Sequence, residues 1–318
     1  MLSLGQNFLI MNRFPLILTL SLMLIFGCKE IKEDAQTEEP EIIEETEVEI
    51  DSTPVIVEDS AVIDNTEVEK KETVTKPKTT PKPKPVVPDN AYAIDDIILH
   101  PINHASMVLE TTTDVIYVDP VGGASTYAGM RPPNFIIITD IHGDHYNLET
   151  IKGIMTKTTK IIGPRAIRDQ IPAELKNNFE LLFNGLSKSF STSKLSLDIE
   201  GIPMYNLREE ALQYHPKGRG NGYVLTINGK RIYISGDTED IREMRTLKNI
   251  DVAFICMNLP YTMTEEQAAD AVLAFKPKMA IPYHYRGSDP KKFKSIVNNG
   301  DGNIKVVLLD WYGEKPDA

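Results

Sequence analysis

Phe135-Ile136-Ile137-Ile138-Thr139-Asp140-Ile141-His142-Gly143-Asp144-His145 is an apolar run that breaks abruptly into acids and imidazoles. The run, Phe135 to Thr139, has the length of a buried strand, and the break marks where strand gives way to loop. In extended backbone alternate side chains share a face, which puts Asp140 and His142 together. Gly143 is read as the point where the backbone turns sharply, returning Asp144 and His145 to the same place. Carboxylates and imidazoles concentrated at one strand end form a divalent-cation constellation, and two of the chain's six histidines stand in it.

Four further positions occupy strand ends or loops: His104, His215, Asp237 and His284. His215 lies in Tyr214-His215-Pro216-Lys217-Gly218, Asp237 in Ser235-Gly236-Asp237-Thr238, and His284 in Ile281-Pro282-Tyr283-His284-Tyr285. Junctions of strand, acid and helix gather side chains at one edge of a sheet, and a carboxylate between two cations can bridge them; Asp237 is the natural candidate. Together with the Asp140 loop these positions predict a two-metal site.

Around these landmarks, strands are predicted at Ile97 to Leu99, Ser106 to Glu110 and Val115 to Asp119, with Thr111-Thr112-Thr113-Asp114 as a hairpin turn. Helical spacing follows over Leu148 to Thr156, a strand over Lys160 to Ile162, and a short helix over Pro164 to Ile171 with Pro near its start. Phe179 to Phe190 reads as irregular or strand-like; Lys194 to Ile199 and Ile202 to Asn206 alternate like two strands. Asn228-Gly229 is a strong hairpin signal between Tyr223 to Ile227 and Arg231 to Ser235. Helix Ile241 to Leu247, buried strand Val252 to Met257 and helix Thr264 to Phe275 come next, the last with Thr262 or Thr264 as its cap. Strand Met279 to Pro282, helix Asp289 to Val297 and strand Lys305 to Leu309 close the set. Meandering strands followed by alternating strands and helices, twice over, predict an α/β chain of two mixed sheets packed face to face with helices outside.

The chain of 318 residues is not uniform. Phe14 to Phe26 is an apolar run preceded by Arg13, too short for a stable membrane span but fitting a signal-peptide core; Met11 reads as an alternative natural start. Ile25-Phe26-Gly27-Cys28 resembles a bacterial lipobox, which implies residues 1–28 as a signal and Cys28 as a lipidated, membrane-anchoring mature N-terminus. That places the protein outside the cytoplasm, periplasmic or at the cell surface. An ordinary secretory signal or an uncleaved anchor is the alternative. Residues 29–90 hold no aromatic side chain and most of the formal charge of −12. Such a stretch cannot offset its ordering entropy by burial, so it is expected to be disordered, acidic first and then Pro/Lys-rich and stiff from Lys76 to Pro85. A tether is the simple reading; a partner-binding acidic arm is the other.

Residues 91–318 suffice for one domain. Their mildly acidic balance argues against nucleic-acid binding through a basic groove. Cys256 reads as a core residue, so no disulfide is expected.

The order of these motifs resembles the metallo-β-lactamase-fold hydrolases, and within them the branch of L-ascorbate-6-phosphate lactonases and N-acylphosphatidylethanolamine phospholipase D. The residues carrying the likeness are Asn103-His104-Ala105-Ser106, Val118-Asp119-Pro120, Asp140 to His145, Ile234 to Thr238, and Pro260-Tyr261-Thr262-Met263 leading to Pro282-Tyr283-His284. The resemblance implies a single four-layer αββα sandwich. It implies one cation held by Asp140, His142 and His215, another by Asp144, His145 and His284, and Asp237 between them. Asp140 stands where the family has a histidine; an oxygen donor there widens the expected metal from zinc to manganese or iron, or leaves that seat weak or empty.

The implied function is hydrolysis of a small ester, lactone or phosphodiester by metal-activated water. Asp144 is expected to orient that water and take its proton. His104, outside both coordination spheres, is a candidate for binding substrate or protonating the leaving group, or else a supporting residue. His100 reads as structural, Tyr261, Tyr285 and Arg286 as pocket candidates, and Lys217 or Arg219 as anion contacts. A non-catalytic metal- or ligand-binding lipoprotein of the same fold is the competing reading. Substrate and oligomeric state are not legible.

Overall fold

The computed structural model describes residues 91–191 and 196–313. The signal segment, Cys28, the stretch to residue 90 and the predicted strand start at Lys194 lie outside the described residues.

Four antiparallel strands open the domain: β1 (Tyr92–Ile94), β2 (Ile97–Asn103), β3 (Ser106–Glu110) and β4 (Val115–Val118). Strands β5 (Phe135–Ile137), β6 (Lys160–Gly163) and β7 (Phe179–Leu181) then join in parallel, completing a seven-stranded sheet in sequence order. Parallel neighbours need crossovers, supplied by the segment with the 3-10 turn Ala124–Tyr127 between β4 and β5 and by helices α1 (Leu148–Ile154) and α2 (Arg165–Arg168) for the next two.

The second sheet repeats the plan. Strands β8 (Ser187–Ser191), β9 (Ser196–Met204), β10 (Gly220–Ile227) and β11 (Lys230–Ile234) are antiparallel; β12 (Val252–Cys256), β13 (Met279–Tyr283) and β14 (Lys305–Val306) add in parallel. Their crossovers are α3 (Arg242–Arg245), α4 (Glu265–Phe275) and α5 (Pro290–Gly300).

The period-two alternation of the first sheet sorts its side chains cleanly. Met107, Leu109, Ile116, Val118, Ile137 and Ile162 face the second sheet's Tyr223, Leu225, Ile232 and Ile234 in one core. Val108, Tyr117, Ile136, Ile138 and Ile161 face outward and are covered by Ile151 of α1 and Ile167 of α2. β12 is buried at every position, since Ala268, Val272 and Phe275 of α4 and Phe293 and Val297 of α5 pack into the same core. Helix, sheet, sheet, helix is the expected four-layer sandwich.

Several boundaries differ from expectation. Ser196 to Met204 is one strand, not two: Gly201 does not break it but clears room for the Phe183 carbonyl, which a Cβ would meet at 2.4 Å. Phe179 to Phe190 resolves into edge strands of different sheets, β7 and β8. The helix expected over Pro164 to Ile171 is a single turn, Arg165–Arg168, with Pro164 as its cap. The last strand stops at Val306, and β1 had no expectation at all.

α4 starts where its cap demands. The Thr264 side chain accepts from the Gln267 amide and the Gln267 side chain accepts from the Thr264 amide, a reciprocal capping box.

Candidate metal centre

Functional side chains collect where parallel strands end. Asp119 follows β4, the Asp140 loop follows β5, Asp237 follows β11 and His284 follows β13. His104 sits on the β2–β3 turn and His215 on the loop before β10. Three groups result: Asp140, His142 and His215; His145, Asp237 and His284; His104, Asp144 and His284, with ligand atoms in each within 4.8 Å of one another and His215 of the first 3.2 Å from Asp237 of the second. All the residues singled out as ligands therefore share one rim, with His104 among them rather than apart. His100 is elsewhere, paired with Glu110 at 3.2 Å.

The Asp140 loop closes without a special glycine. The His142 carbonyl accepts from the amides of His145 and Tyr146, at 3.0 and 2.8 Å. Gly143 is not among the positive-φ residues and a Cβ there would meet nothing, so the expected glycine-driven turn is corrected to a carbonyl-capped one. Strained backbone lies elsewhere: His104, Asp119 and His284 hold φ of 55°, 46° and 49°. Non-glycine residues occupy that region only where their surroundings impose it. Here the His284 amide donates to the His104 carbonyl at 3.2 Å.

Asp237 is the hub. Its Oδ2 lies 3.2 Å from Nε2 of both His145 and His215, and its Oδ1 3.3 Å from Nε2 of His284. Those three nitrogens and Asp237 Oδ1 are buried yet lack hydrogen-bond partners. Buried polar atoms are almost always paired, and four orphaned electron-pair donors pointing at one spot suit a cation. Gly236 makes the close approach possible: at φ 60° a Cβ would lie 2.4 Å from Met204 Sδ.

The far sides of two of these rings, His145 and His215, are fixed. His145 Nδ1 donates to Asp119 Oδ2 at 2.9 Å, and Asp119 is itself held by the amide and hydroxyl of Thr139, at 2.7 and 2.6 Å. His215 Nδ1 donates to the Tyr261 carbonyl at 3.2 Å. With Nδ1 committed outward, each Nε2 is the nitrogen turned inward, the one that a cation would take. His104 Nδ1 meets the Tyr312 hydroxyl at 2.8 Å and its Nε2 faces Asp144 at 3.4 Å. Neither Tyr312 nor the Glu239 clamp was legible beforehand. Buried Glu239 accepts from the Leu207 and Arg208 amides and from Arg208 Nε, and Arg208 reaches the Pro260 and Thr262 carbonyls. That clamp ties the His215 and Asp237 segments together.

Electrostatics point the same way. Burial alone would lower His145, yet Asp237 and Asp119 raise its pKa well above the ordinary value. Burial would raise Asp237 and Asp144, yet His284 and His145 beside Asp237, and His104 and His284 beside Asp144, hold both below the carboxylate range. Burial pushes His104 and His142 down, keeping both neutral at pH 7. A site that draws a proton onto a wholly buried imidazole has surplus negative potential, which a divalent cation would neutralise. Arg219, expected as a possible anion contact, is bound to Asp140 instead.

Residues 99–284, which include every member of the cluster, match the family model of the beta-lactamase superfamily domain. The chain belongs to the beta-lactamase superfamily. Among its superfamily relatives is a UPF0173 metal-dependent hydrolase of Pyrococcus furiosus, 26% identical over 224 residues, covering 65% of this chain and 94% of that protein. A crystal structure of a candidate metal-dependent hydrolase from Parabacteroides distasonis is 35% identical, with TM-score 0.61, covering 68% of this chain and 94% of that one. Igni18, a metallo hydrolase of Ignicoccus hospitalis, shares the fold at 22% identity and TM-score 0.55, over 67% of this chain and 95% of that one. The superfamily's metallo-β-lactamase fold is the sandwich described above.

Proposed function

We propose that this chain is a metal-dependent hydrolase of small esters, lactones or phosphodiesters, holding two divalent cations at the rim. Asp140, His142 and His215 would hold one; Asp144, His145 and His284 the other; Asp237 would lie between them. The convergence of three unpartnered imidazole nitrogens on Asp237 carries this reading. When bound, such ions polarise a carbonyl or phosphoryl oxygen and acidify water.

The protein's own groups complete the chemistry. Asp144 is the open acid, its side chain 45% exposed and held ionised by His104 and His284. A carboxylate so held accepts a hydrogen bond from attacking water, aims it and takes up its proton. His104, neutral and anchored by Tyr312, stands behind Asp144 where it can orient that acid or face a leaving group. His142 is 39% exposed. With both residues open to solvent, the centre has an accessible side, as catalytic sites require; a sealed structural metal site would have none. This favours the enzyme over the non-catalytic binding protein.

The donor set mixes imidazole and carboxylate, which suits zinc and admits manganese or iron. The resemblance of the sequence motifs to those of the lactonase and phospholipase D branch supports the substrate range. Elemental analysis of the purified chain, with a panel of esters, lactones and bis-aryl phosphates, tests the proposal. Metal should co-purify, and turnover should disappear with chelation and in Asp237→Ala and His142→Ala. Metal-free protein, or variants as active as the parent, would reject it.

We also propose that the enzyme is lipid-tethered outside the cytoplasm, on the strength of Phe14 to Phe26 and Gly27-Cys28. Palmitate labelling of the chain, lost in Cys28→Ser, is the expected result; equal labelling of both would refute the tether.

A further inference from the structure

Arg219 grips Asp140 with a two-pronged bond, Nε to Oδ1 at 3.0 Å and Nη2 to Oδ2 at 2.7 Å. Nη2 also donates to the Tyr214 carbonyl, so the guanidinium is held along its Nε–Nη2 edge. Asp140 is wholly buried, and Arg219 is 21% exposed. Asp140 Oδ2 also faces His142 Nδ1 at 3.1 Å and His215 Nε2 at 4.0 Å.

The other half of the centre is built differently. Among the described residues, the ion-pair partners of Asp144 and Asp237 are all histidines: His104, His145 and His284 for the first, His145, His215 and His284 for the second. Among the described residues, neither carboxylate forms an ion pair with a lysine or arginine. The two clusters thus draw on similar donors, but only one has a permanent positive charge beside it.

We propose that Arg219 is a built-in counter-charge that makes the two cation seats unequal. The Asp144, His145 and His284 seat loads first, and the Asp140, His142 and His215 seat loads weakly, with Asp237 between them. The inference rests on the two-cation reading above. A fork-held carboxylate gives its best-directed lone pairs to the guanidinium, leaving a poorer donor on Oδ2. The guanidinium cannot shed its proton, so its charge repels any cation that Oδ2 accepts. Carboxylate plus guanidinium sums to zero, the same as the imidazole Asp140 replaces, but the positive member sits within a few ångströms of the seat.

The test is a manganese titration of the chelator-stripped full chain, read by calorimetry and by elemental analysis after dialysis. Wild type should retain one ion and take a second at least about tenfold more weakly. Arg219→Gln should tighten the second ion by about tenfold or more and leave the first unchanged. Asp140→Asn, which leaves the arginine uncompensated, should lose the second ion while keeping the first. Two ions of equal affinity in wild type would overturn the inference alone. So would Arg219→Gln with the split unchanged or the second ion lost, or Asp140→Asn with the second ion unaffected. Wild type that takes no ion at all would instead remove the two-cation reading, and this inference with it.

Discussion

At the scale of single residues, the centre depends on side chains that never reach a cation. Asp119 and Thr139 fix the ring of His145, so Asp119→Asn should lower metal affinity about 10- to 100-fold. Titration of chelator-stripped protein measures this, and unaltered affinity would reduce Asp119 to a core polar group. The raised pKa of His145 carries a second expectation. Below that raised value the stripped protein holds a proton on His145, and a cation must displace it. Apparent affinity should therefore rise with pH, by about tenfold per unit for the one proton released, and flatten above the folded-state value. A pH-independent affinity would mean that no proton leaves. Much at this scale was legible, because an apolar run ending in Asp140, His142, Asp144 and His145 has few bland explanations. Arg219 was not, because a lone cation in a glycine-rich loop carries no sign of the buried acid it will meet.

At the scale of elements, glycines at the rim reveal how tightly the strands close. A Cβ on Gly222 of β10 would meet the backbone carbonyls of Ser235 and Ile234 at 2.8 and 3.0 Å. Backbone cannot swing aside as a side-chain tip can, so Gly222→Ala should part β10 from β11 just before Asp237. Overpacking of this kind costs about 1–3 kcal/mol, visible in urea unfolding, and here it should also weaken metal binding. Thr264→Ala is the contrasting case: loss of the α4 capping box should cost about 1 kcal/mol with metal affinity unchanged. The central strands were readable because both faces are buried and the apolar run is continuous, as in Val252 to Cys256. Edge strands were not. β8, Ser-Lys-Ser-Phe-Ser, alternates between exposed and half-buried positions, so its pattern hardly differs from a loop. Gly201 misled for the opposite reason: a glycine inside a strand can mark a close neighbour as well as a break.

At the scale of the whole molecule, the centre joins the two sheets. The first sheet supplies His104, Asp140, His142, Asp144 and His145; the second supplies His215, Asp237 and His284. Across the seam, the Tyr223 hydroxyl donates to the Ile138 carbonyl at 2.8 Å and the Asn221 amide to the Thr139 carbonyl at 2.9 Å. No local sequence pattern can show such pairing, since its members lie up to 85 residues apart; only the repeated order of strands and helices hinted that two similar sheets would meet. A cation bound by both sheets binds the folded chain and not the unfolded one. Free metal at 100 times its dissociation constant should then add about 2.7 kcal/mol to unfolding, a rise of roughly 5–10 °C in Tm for a domain of this size. Melting across a metal series, against chelator, measures the slope. Asp237→Ala, lacking the residue on which both halves converge, should melt at one temperature whatever the metal concentration; a variant that still tracks metal would place the cation away from the seam.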